Sequence, residues 1–183
     1  GGRKIPLRRL TIDGRWNQKG LDAAALLDLG TQGSLVFNAS SPEPIHAGEP
    51  VQGTVAMDIR SFDFNTVAVF YPLPVPIEGK LNGIGQGSWS QGRNFVWRGE
   101  GEINHALMAW RTFRPLREEL KGHFDKAVFR WNWSEDTFIA NWDLRLQKGG
   151  MLKGELGFPL ASSWPVKIIE DGPLTGNISG QIG

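Results

Sequence analysis

Along much of this sequence, apolar and polar side chains alternate with a period of two. In the clearest run, Phe138, Trp142 and Leu144 alternate with Asn141 and Asp143. An extended chain turns successive side chains to opposite faces, so this pattern predicts β-strands that have one apolar and one polar face. Because the alternation recurs from one end of the chain to the other, the sequence predicts an all-β fold.

Short polar or glycine-containing segments separate the last three alternating runs. They are residues 134–136 (SED) and residues 148–150 (KGG). Connections of this length join neighbouring antiparallel strands. The C-terminal third is therefore expected to be an antiparallel meander.

Two segments are compatible with a helix. Residues 21–29 are rich in Ala and Leu and fit either period, and we expect a strand there. Residues 114–121 (RPLREELK) have a proline near their start, followed by good helix formers, and we expect one short helix there.

One short pattern occurs three times: Pro, aliphatic, polar, Gly, polar, aliphatic. It covers residues 50–55 (PVQGTV), 76–81 (PIEGKL) and 173–178 (PLTGNI). Proline is tolerated at the first residue of a strand, and glycine lets a strand bend, so the pattern suits the start of a curved strand. Its recurrence predicts that residues 1–183 form a single β-repeat segment of a longer protein, truncated at both ends.

Charge and composition exclude several classes of function. The 20 Lys and Arg residues nearly balance the 19 Asp and Glu residues, so the chain has no long-range field that would recruit nucleic acid. Cysteine is absent, which excludes disulfides and thiol catalysis. No apolar run approaches the roughly 20 residues of a membrane-spanning helix.

Catalytic and metal-binding patterns are also missing. His46, His105 and His123 lack metal-ligand spacing. Residues 83–87 (GIGQG) lack the following helix and the lysine of a phosphate-binding loop. Neighbouring carboxylates on a strand or turn do not converge as a hydrolytic pair must. We expect a protein that is not an enzyme and that uses no cofactor and no metal.

The candidate functional feature is the apolar strand face itself. Exposing about a dozen large apolar side chains would cost roughly 20–35 kcal/mol, more than the about 5–15 kcal/mol by which a whole domain is stable. The sheet must therefore fold onto itself, pair with another copy or take in an apolar guest. The residues expected to line this apolar groove are Val55, Met57, Ile59, Leu81, Phe95, Trp97, Phe129, Trp131, Trp133, Phe138, Trp142, Leu144, Leu146, Leu152, Leu156 and Phe158.

Three stretches resemble the repeats of the TamB group of AsmA-like proteins. They are residues 10–16 (LTIDGRW), residues 77–83 (IEGKLNG) and residues 173–180 (PLTGNISG), the last following WPV at 164–166. The resemblance spans nearly the whole chain. It implies an elongated, curved antiparallel sheet, folded like a taco into a half-open groove with an apolar interior.

The same resemblance carries expectations about function. It implies a periplasmic location, in a protein anchored in the inner membrane of a Gram-negative bacterium. It also implies the outer-membrane barrel protein TamA as a partner of the full-length protein. The work implied is the assembly of outer-membrane β-barrel proteins such as autotransporters, the transport of phospholipid between the two membranes, or both. The cargo would be unfolded outer-membrane protein strands or phospholipid acyl chains.

Two other readings of the residues remain open. The alternation would equally serve a closed β-sandwich with a purely structural role. The tryptophans could instead form a sugar platform on a carbohydrate-binding sandwich. That last reading predicts tryptophans beside polar groups on an outer face, rather than on the same face as Leu and Phe.

Overall fold

The chain folds into ten consecutive β-strands. The computed structural model describes residues 7–17, 20–42, 52–64, 66, 77–90, 93–111, 119–162 and 167–181. The strands are β1 (Arg9–Asn17), β2 (Gly20–Asp28), β3 (Ser34–Ser41), β4 (Gln52–Asp63), β5 (Ile77–Ser90), β6 (Arg93–Arg111), β7 (Glu119–Ser134), β8 (Thr137–Leu146), β9 (Met151–Pro159) and β10 (Thr175–Gln181). A 3-10 turn, Gly30–Gln32, connects β2 to β3.

All ten strands belong to one antiparallel sheet, in which each strand pairs with the next along the chain. The sheet is open, with β1 and β10 at its two edges. The expectation of an all-β, curved antiparallel sheet that forms a half-open groove is confirmed. Within the described residues the strands make a single sheet rather than the two packed sheets of a sandwich.

The sequence patterns coincide with strand boundaries. The three copies of the proline-glycine pattern lead into β4, β5 and β10, and the two short polar segments join β7 to β8 and β8 to β9. Residues 21–29 form a strand as expected, because β2 covers residues 20–28.

The helix expected at residues 114–121 is wrong for residues 119–121, and residues 114–118 lie outside the described part of the chain. Residues 119–121 begin β7 and pair with Arg111, Trp110 and Ala109 of β6. Main-chain pairing with the long strand β6 outweighs the weak intrinsic preference of Glu, Leu and Lys for a helix.

Among the described strands, one register shift, between Ser88 and Ser90, lies at the C-terminal end of β5, and the other three lie close together at the opposite end of the central strands. These three occur between Ile59 and Phe62 on β4, between Glu78 and Lys80 on β5, and between Phe124 and Lys126 on β7. A bulge bends its strand and increases the local twist. Because the bulges fall on nearby strands, this end of the sheet bends as a unit.

The bent end contains the sealed core. Its buried members are Ile103, Ala106, Phe124, Ala127 and Leu144. Partly buried apolar side chains surround them, among them that of Phe64, just after β4. Ile103 is 1% exposed, so this part of the apolar face is fully covered.

Candidate apolar groove

Strand register aligns the apolar side chains into rows that cross the sheet. Row 1 contains Ala39, Val55, Gly87, Trp97, Trp133, Phe138 and Phe158. Row 2 contains Phe37, Met57, Gly85, Gly99, Trp131, Ala140 and Leu156. Row 3 contains Leu35, Ile59, Gly83, Gly101, Phe129, Trp142 and Gly154. Row 4 contains Phe62, Leu81, Ile103, Ala127, Leu144 and Leu152.

The sixteen residues proposed from the sequence all lie on this face. Fourteen belong to the four rows, and Phe95 and Leu146 lie two residues beyond Trp97 and Leu144 on the same strands. Since the side-chain period of a strand is two, these two residues face the same side as the rows. The structure therefore brings the proposed residues together on one continuous apolar surface.

The sixteen residues differ in how open they are. Leu144 is 6% exposed and belongs to the sealed core, while Leu156 at the other extreme is 43% exposed. Most of the others are half-buried. Those that pack around the sealed core are Leu81, Phe129, Trp142, Leu146 and Leu152. Rows 1 and 2 therefore provide the accessible part of the face, and row 4 provides the core.

Glycines form the floor of rows 1 to 3 at the centre of the sheet, and tryptophans of the neighbouring strands cover them. A Cβ atom at Gly85 would stand 2.7 Å from Cζ2 of Trp97, and one at Gly87 would stand 2.6 Å from Cε3 of the same indole. Trp131 covers Gly99 in the same way, and Trp142 covers Gly154. Residues 83–87, which by themselves resemble only a failed phosphate-binding loop, carry the sequence signal of this arrangement: glycines at every second position beside an aromatic strand.

An aromatic cluster lies in the middle of row 1, on β6 and β7. The rings of Phe95 and Trp97 stack with centroids 6.1 Å apart, and the ring of Trp133 meets Phe95 edge-on at 5.1 Å. Further along the row, the centroids of Phe138 and Phe158 are 5.0 Å apart. These contacts hold the large rings in fixed positions beside the glycine floor.

A cavity of 490 Å³ opens beside this cluster on the apolar face. Among the described residues its lining is entirely apolar, and consists of Phe37, Ala39, Val55, Trp89, Phe95, Trp97 and Trp133. They come from β3 to β7, which would span about 19 Å in a flat sheet, so the shared cavity reflects the curvature of this face. Phe37 and Trp89 were not among the residues expected from the sequence, although they continue the odd-numbered apolar positions of β3 and β5.

A short segment after β9 is fastened over the end of the cluster. The indole Nε1 of Trp133 donates to the carbonyl oxygen of Leu160 at 2.8 Å, and the amide of Phe95 donates to the carbonyl oxygen of Ser162 at 2.6 Å. The carboxylate of Asp136 accepts from the amide of Ser162 at 2.7 Å and from its hydroxyl at 2.9 Å. These two bonds from Ser162 lower the pKa of Asp136. We call the residues 160–162 the strap.

The opposite face of the sheet is mainly polar, although it also exposes Ile84 and Val96. It carries ion pairs between neighbouring strands, among them Lys126 with Glu102 at 2.7 Å and Lys153 with Asp143 at 3.3 Å. The bond from Lys126 is the main reason that the pKa of Glu102 is lowered, and Asn104 adds to it. A second hollow of 900 Å³ lies on this face, lined by polar residues such as Arg98 and Asn132 together with small apolar ones such as Ala56. A twisted sheet is concave on each face along a different diagonal, so the two hollows can coexist.

The tryptophans whose environment is described lie on the apolar face. Trp97, Trp131, Trp133 and Trp142 share rows with Phe and Leu rather than with the polar residues of the other face. A sugar platform would need those rings beside hydrogen-bonding groups. The arrangement instead suits a ligand that makes no polar contacts.

Other kinds of site are not formed by the described residues. Among them, no three His, Cys, Asp or Glu side chains lie close enough together to hold a metal ion. None of the helical segments in the described ranges is long and apolar enough to cross a membrane. Comparison of the chain with protein-family models, with curated proteins and with solved structures gave no match.

Proposed function

We propose that this chain is a non-enzymatic scaffold or conduit whose apolar groove shelters hydrophobic cargo. One observation carries the proposal: rows 1 and 2 make a continuous apolar surface from β3 to β9 in which most residues are at least partly exposed, beside a cavity whose described lining is entirely apolar. Removing this surface from water is favourable in proportion to its area. A guest that covers it gains that free energy without needing a particular chemical group.

The dimensions of the groove suit an extended apolar chain. From β4 to β9 the rows cross five strand spacings, or about 24 Å, which exceeds the roughly 15 Å thickness of the hydrocarbon in one leaflet of a membrane. The cavity of 490 Å³ lies within the roughly 300–1,000 Å³ of small-ligand pockets. A phospholipid acyl chain, or the apolar face of an unfolded β-barrel strand, therefore fits the surface in both length and chemistry.

The described residues of the cavity lining include no polar side chain, and this bears on the specificity of binding. Polar groups at fixed positions orient a ligand and discriminate between ligands. Without them, the groove would accept many acyl chains or many strand sequences. This tolerance is what a carrier for a whole class of cargo requires.

The resemblance to the TamB group of AsmA-like proteins places the proposal in a cellular setting. In this setting the chain is a periplasmic part of a protein anchored in the inner membrane of a Gram-negative bacterium. Its partner, through the full-length protein, is the outer-membrane barrel protein TamA. The groove then contributes to the assembly of outer-membrane β-barrel proteins such as autotransporters, to phospholipid transport between the membranes, or to both.

Site-specific photo-crosslinking tests the proposal. A photoreactive amino acid replaces Trp97, which lines the cavity, in the full-length protein in living cells. The matched control places it at the adjacent Arg98, which is exposed on the polar face. We expect phospholipid or outer-membrane protein adducts from position 97 and few from position 98. Equal yields at the two positions, or adducts with glycans only, would contradict the proposal.

A further inference from the structure

The cavity of 490 Å³ on the apolar face is lined mainly by aromatic rings. The described lining contains three indoles and two phenyl rings, which belong to Phe37, Trp89, Phe95, Trp97 and Trp133. None of the described lining residues carries a charge, a hydroxyl group or a carboxyl group. The chemistry of this cavity is therefore set by the surfaces of its rings.

Glycines allow the indoles to lie flat against the sheet. A Cβ atom at Gly53 would have three adjacent ring atoms of Trp89, namely Cζ2, Cη2 and Cε2, within 2.6 Å. So many close ring atoms mean that the face of the ring, rather than its edge, covers the glycine. In the same region Trp97 covers Gly85, where Cζ2 would stand 2.7 Å from an added Cβ atom. The face of Trp89 that does not cover Gly53 points away from the sheet, towards the cavity.

Two further rings form a fixed wall beside these indoles. The ring of Phe95 lies nearly parallel to that of Trp97, at an interplanar angle of 13°, and Trp133 meets Phe95 at 67°. The indole Nε1 of Trp133 donates to the carbonyl oxygen of Leu160 at 2.8 Å, so its one polar atom is already bonded to the strap. The cavity therefore lies between ring surfaces that meet at a steep angle and are held in place.

Such a surface attracts one kind of cation in particular. The face of an aromatic ring carries negative potential and binds a cation that lies over it, most strongly when the ring is an indole. A quaternary ammonium group has no N–H, and its methyl groups can contact rings as apolar groups do. A primary ammonium group has three N–H donors. Since no side chain of the described lining offers these donors an acceptor, burying them would cost their hydrogen bonds to water.

We propose that this cavity binds the trimethylammonium headgroup of a lipid whose acyl chains lie along rows 1 and 2. The inference rests on the proposed function, because it takes the cargo of the groove to be a lipid. The cavity shares Val55, Trp97 and Trp133 with row 1, which continues without a break to β9. A lipid gains from the headgroup site and the groove together, whereas a free ammonium compound gains from the headgroup site alone. The groove thus tolerates many acyl chains, and the rings select the headgroup.

Three water-soluble lipids with the same dihexanoyl chains test the proposal. Their headgroups are choline, ethanolamine and 3,3-dimethylbutanol, the last of which has the shape of choline but a neutral carbon in place of nitrogen. Apolar burial alone would favour the neutral headgroup, because it carries no charge that has to be desolvated. Isothermal titration calorimetry, at concentrations at which the lipids are monomeric, measures the three affinities. We expect the choline lipid to bind at least about tenfold more tightly than either of the others.

Substitutions in the rings test whether the cavity is responsible. Phe37 is 40% exposed, so Phe37→Leu should fold while it removes one ring from the lining. The matched control is Phe158→Leu, which lies in row 1 outside the cavity. We expect the preference for choline over the neutral headgroup to fall severalfold in Phe37→Leu and to stay unchanged in Phe158→Leu.

Replacement of tryptophan by 5-fluorotryptophan provides a second measurement that nearly preserves the shape of the cavity. Fluorine weakens the negative potential of the ring face. Affinity for the choline lipid should therefore fall severalfold, while affinity for the neutral lipid should stay the same.

The outcomes of these experiments are distinct. Equal affinities for the three lipids would leave the apolar groove in place but overturn the headgroup site. If none of the lipids binds, the lipid branch of the proposed function fails together with this inference. Free choline that binds as tightly as the choline lipid would mean a soluble ligand and overturn the lipid assignment. A preference for choline that survives both Phe37→Leu and the fluorinated indoles would overturn recognition by the rings.

Discussion

Trp131 on β7 lies across the backbone of Gly99 on β6, so that a Cβ atom at residue 99 would stand 2.7 Å from Cε2 of the indole. It would also stand 2.5 Å from the carbonyl oxygen of Ile84, on the strand at the other side. The ring on one side and the main chain on the other leave no direction in which an added methyl group could relax.

Gly99→Ala should therefore destabilise the fold by about 1–3 kcal/mol, the usual cost of overpacking a packed interior. Chemical denaturation followed by tryptophan fluorescence measures the free energy of unfolding. Gly14→Ala is the matched control, because nothing except the carbonyl oxygen of Asp22, at 3.9 Å, approaches its added Cβ. It should be neutral or slightly stabilising. Equal destabilisation by the two variants would mean that the contact with Trp131 is not the reason that residue 99 has to be glycine.

Leu156 and Leu144 share the apolar face but differ in exposure. Substitutions at these two residues can therefore distinguish an effect on folding from an effect on cargo binding. Leu156→Glu introduces a charge into the accessible part of the groove, where water can still solvate it, so the protein should fold. Leu144→Glu buries a charge in the sealed core, which a folded protein tolerates poorly. We expect thermal melting to show a folded Leu156→Glu protein and an unfolded Leu144→Glu protein.

The functional consequence of Leu156→Glu follows from the proposed role. A carboxylate in the path of an apolar guest has to be desolvated when the guest binds. We expect cargo crosslinking from position 97 to fall severalfold while the melting temperature changes little. Ser179→Glu, on the polar face of the neighbouring strand β10 and opposite Lys153, is the control. Normal crosslinking in a folded Leu156→Glu protein would argue against a groove that extends to β9.

Much of the fold could be predicted from the sequence, because successive side chains of a strand lie on opposite faces. Whether a residue is at an odd or an even position in its strand (its parity) therefore decides its face. The alternation of Phe138, Trp142 and Leu144 with polar residues gave the strands, and short connections such as residues 148–150 gave their antiparallel order. Once each strand pairs with its neighbour, parity alone places the apolar residues on one face. The sixteen proposed residues lie on a common face because they occupy alternate positions of strands that pair with their neighbours.

The features that depend on register could not be predicted in the same way. Whether Trp131 meets Gly99 is decided by the offset between β6 and β7, which no local pattern specifies. The bulge beside Phe62 and the burial of Leu144 depend on how the end of the sheet bends. The strand at residues 119–121 depends on the partner strand β6, which outweighs a local helix preference.

Asp136 fastens the strap to the β7–β8 turn, and this contact should make stability depend on pH. The bonds from Ser162 lower the pKa of Asp136 below 3.8 in the folded protein. A carboxyl group with a lowered folded pKa stabilises the fold above its unfolded pKa, and this contribution is lost as the pH falls through the folded value. Asp136→Asn removes the titrating group and keeps a side chain that tolerates the positive φ of 59° at this position.

We expect the stability difference between the wild-type protein and Asp136→Asn to be present at neutral pH and to vanish in acid. Urea denaturation at a series of pH values measures it. Other carboxylates with lowered pKa, such as those of Asp58 and Glu102, titrate equally in both proteins and cancel in the comparison. Ser162→Ala removes the hydroxyl donor, so in this variant the free energy of unfolding should change less with pH than in the wild-type protein. A difference that does not change with pH would show that the carboxylate does not hold the strap.

The turn between β7 and β8 is built from unusual residues, and this makes it a place to gain stability. Glu135 and Asp136 both have positive φ, 50° and 59°, as a two-residue type I′ hairpin requires. Asparagine adopts this conformation more readily than glutamate does. The side chain of Glu135 is exposed, so Glu135→Asn should raise the free energy of unfolding by about 0.5–1 kcal/mol without affecting the groove. Glu135→Val, a β-branched residue at the same φ, should lower it, and differential scanning calorimetry can compare the two. If both variants melt at the wild-type temperature, the conformation of residue 135 is not a source of strain.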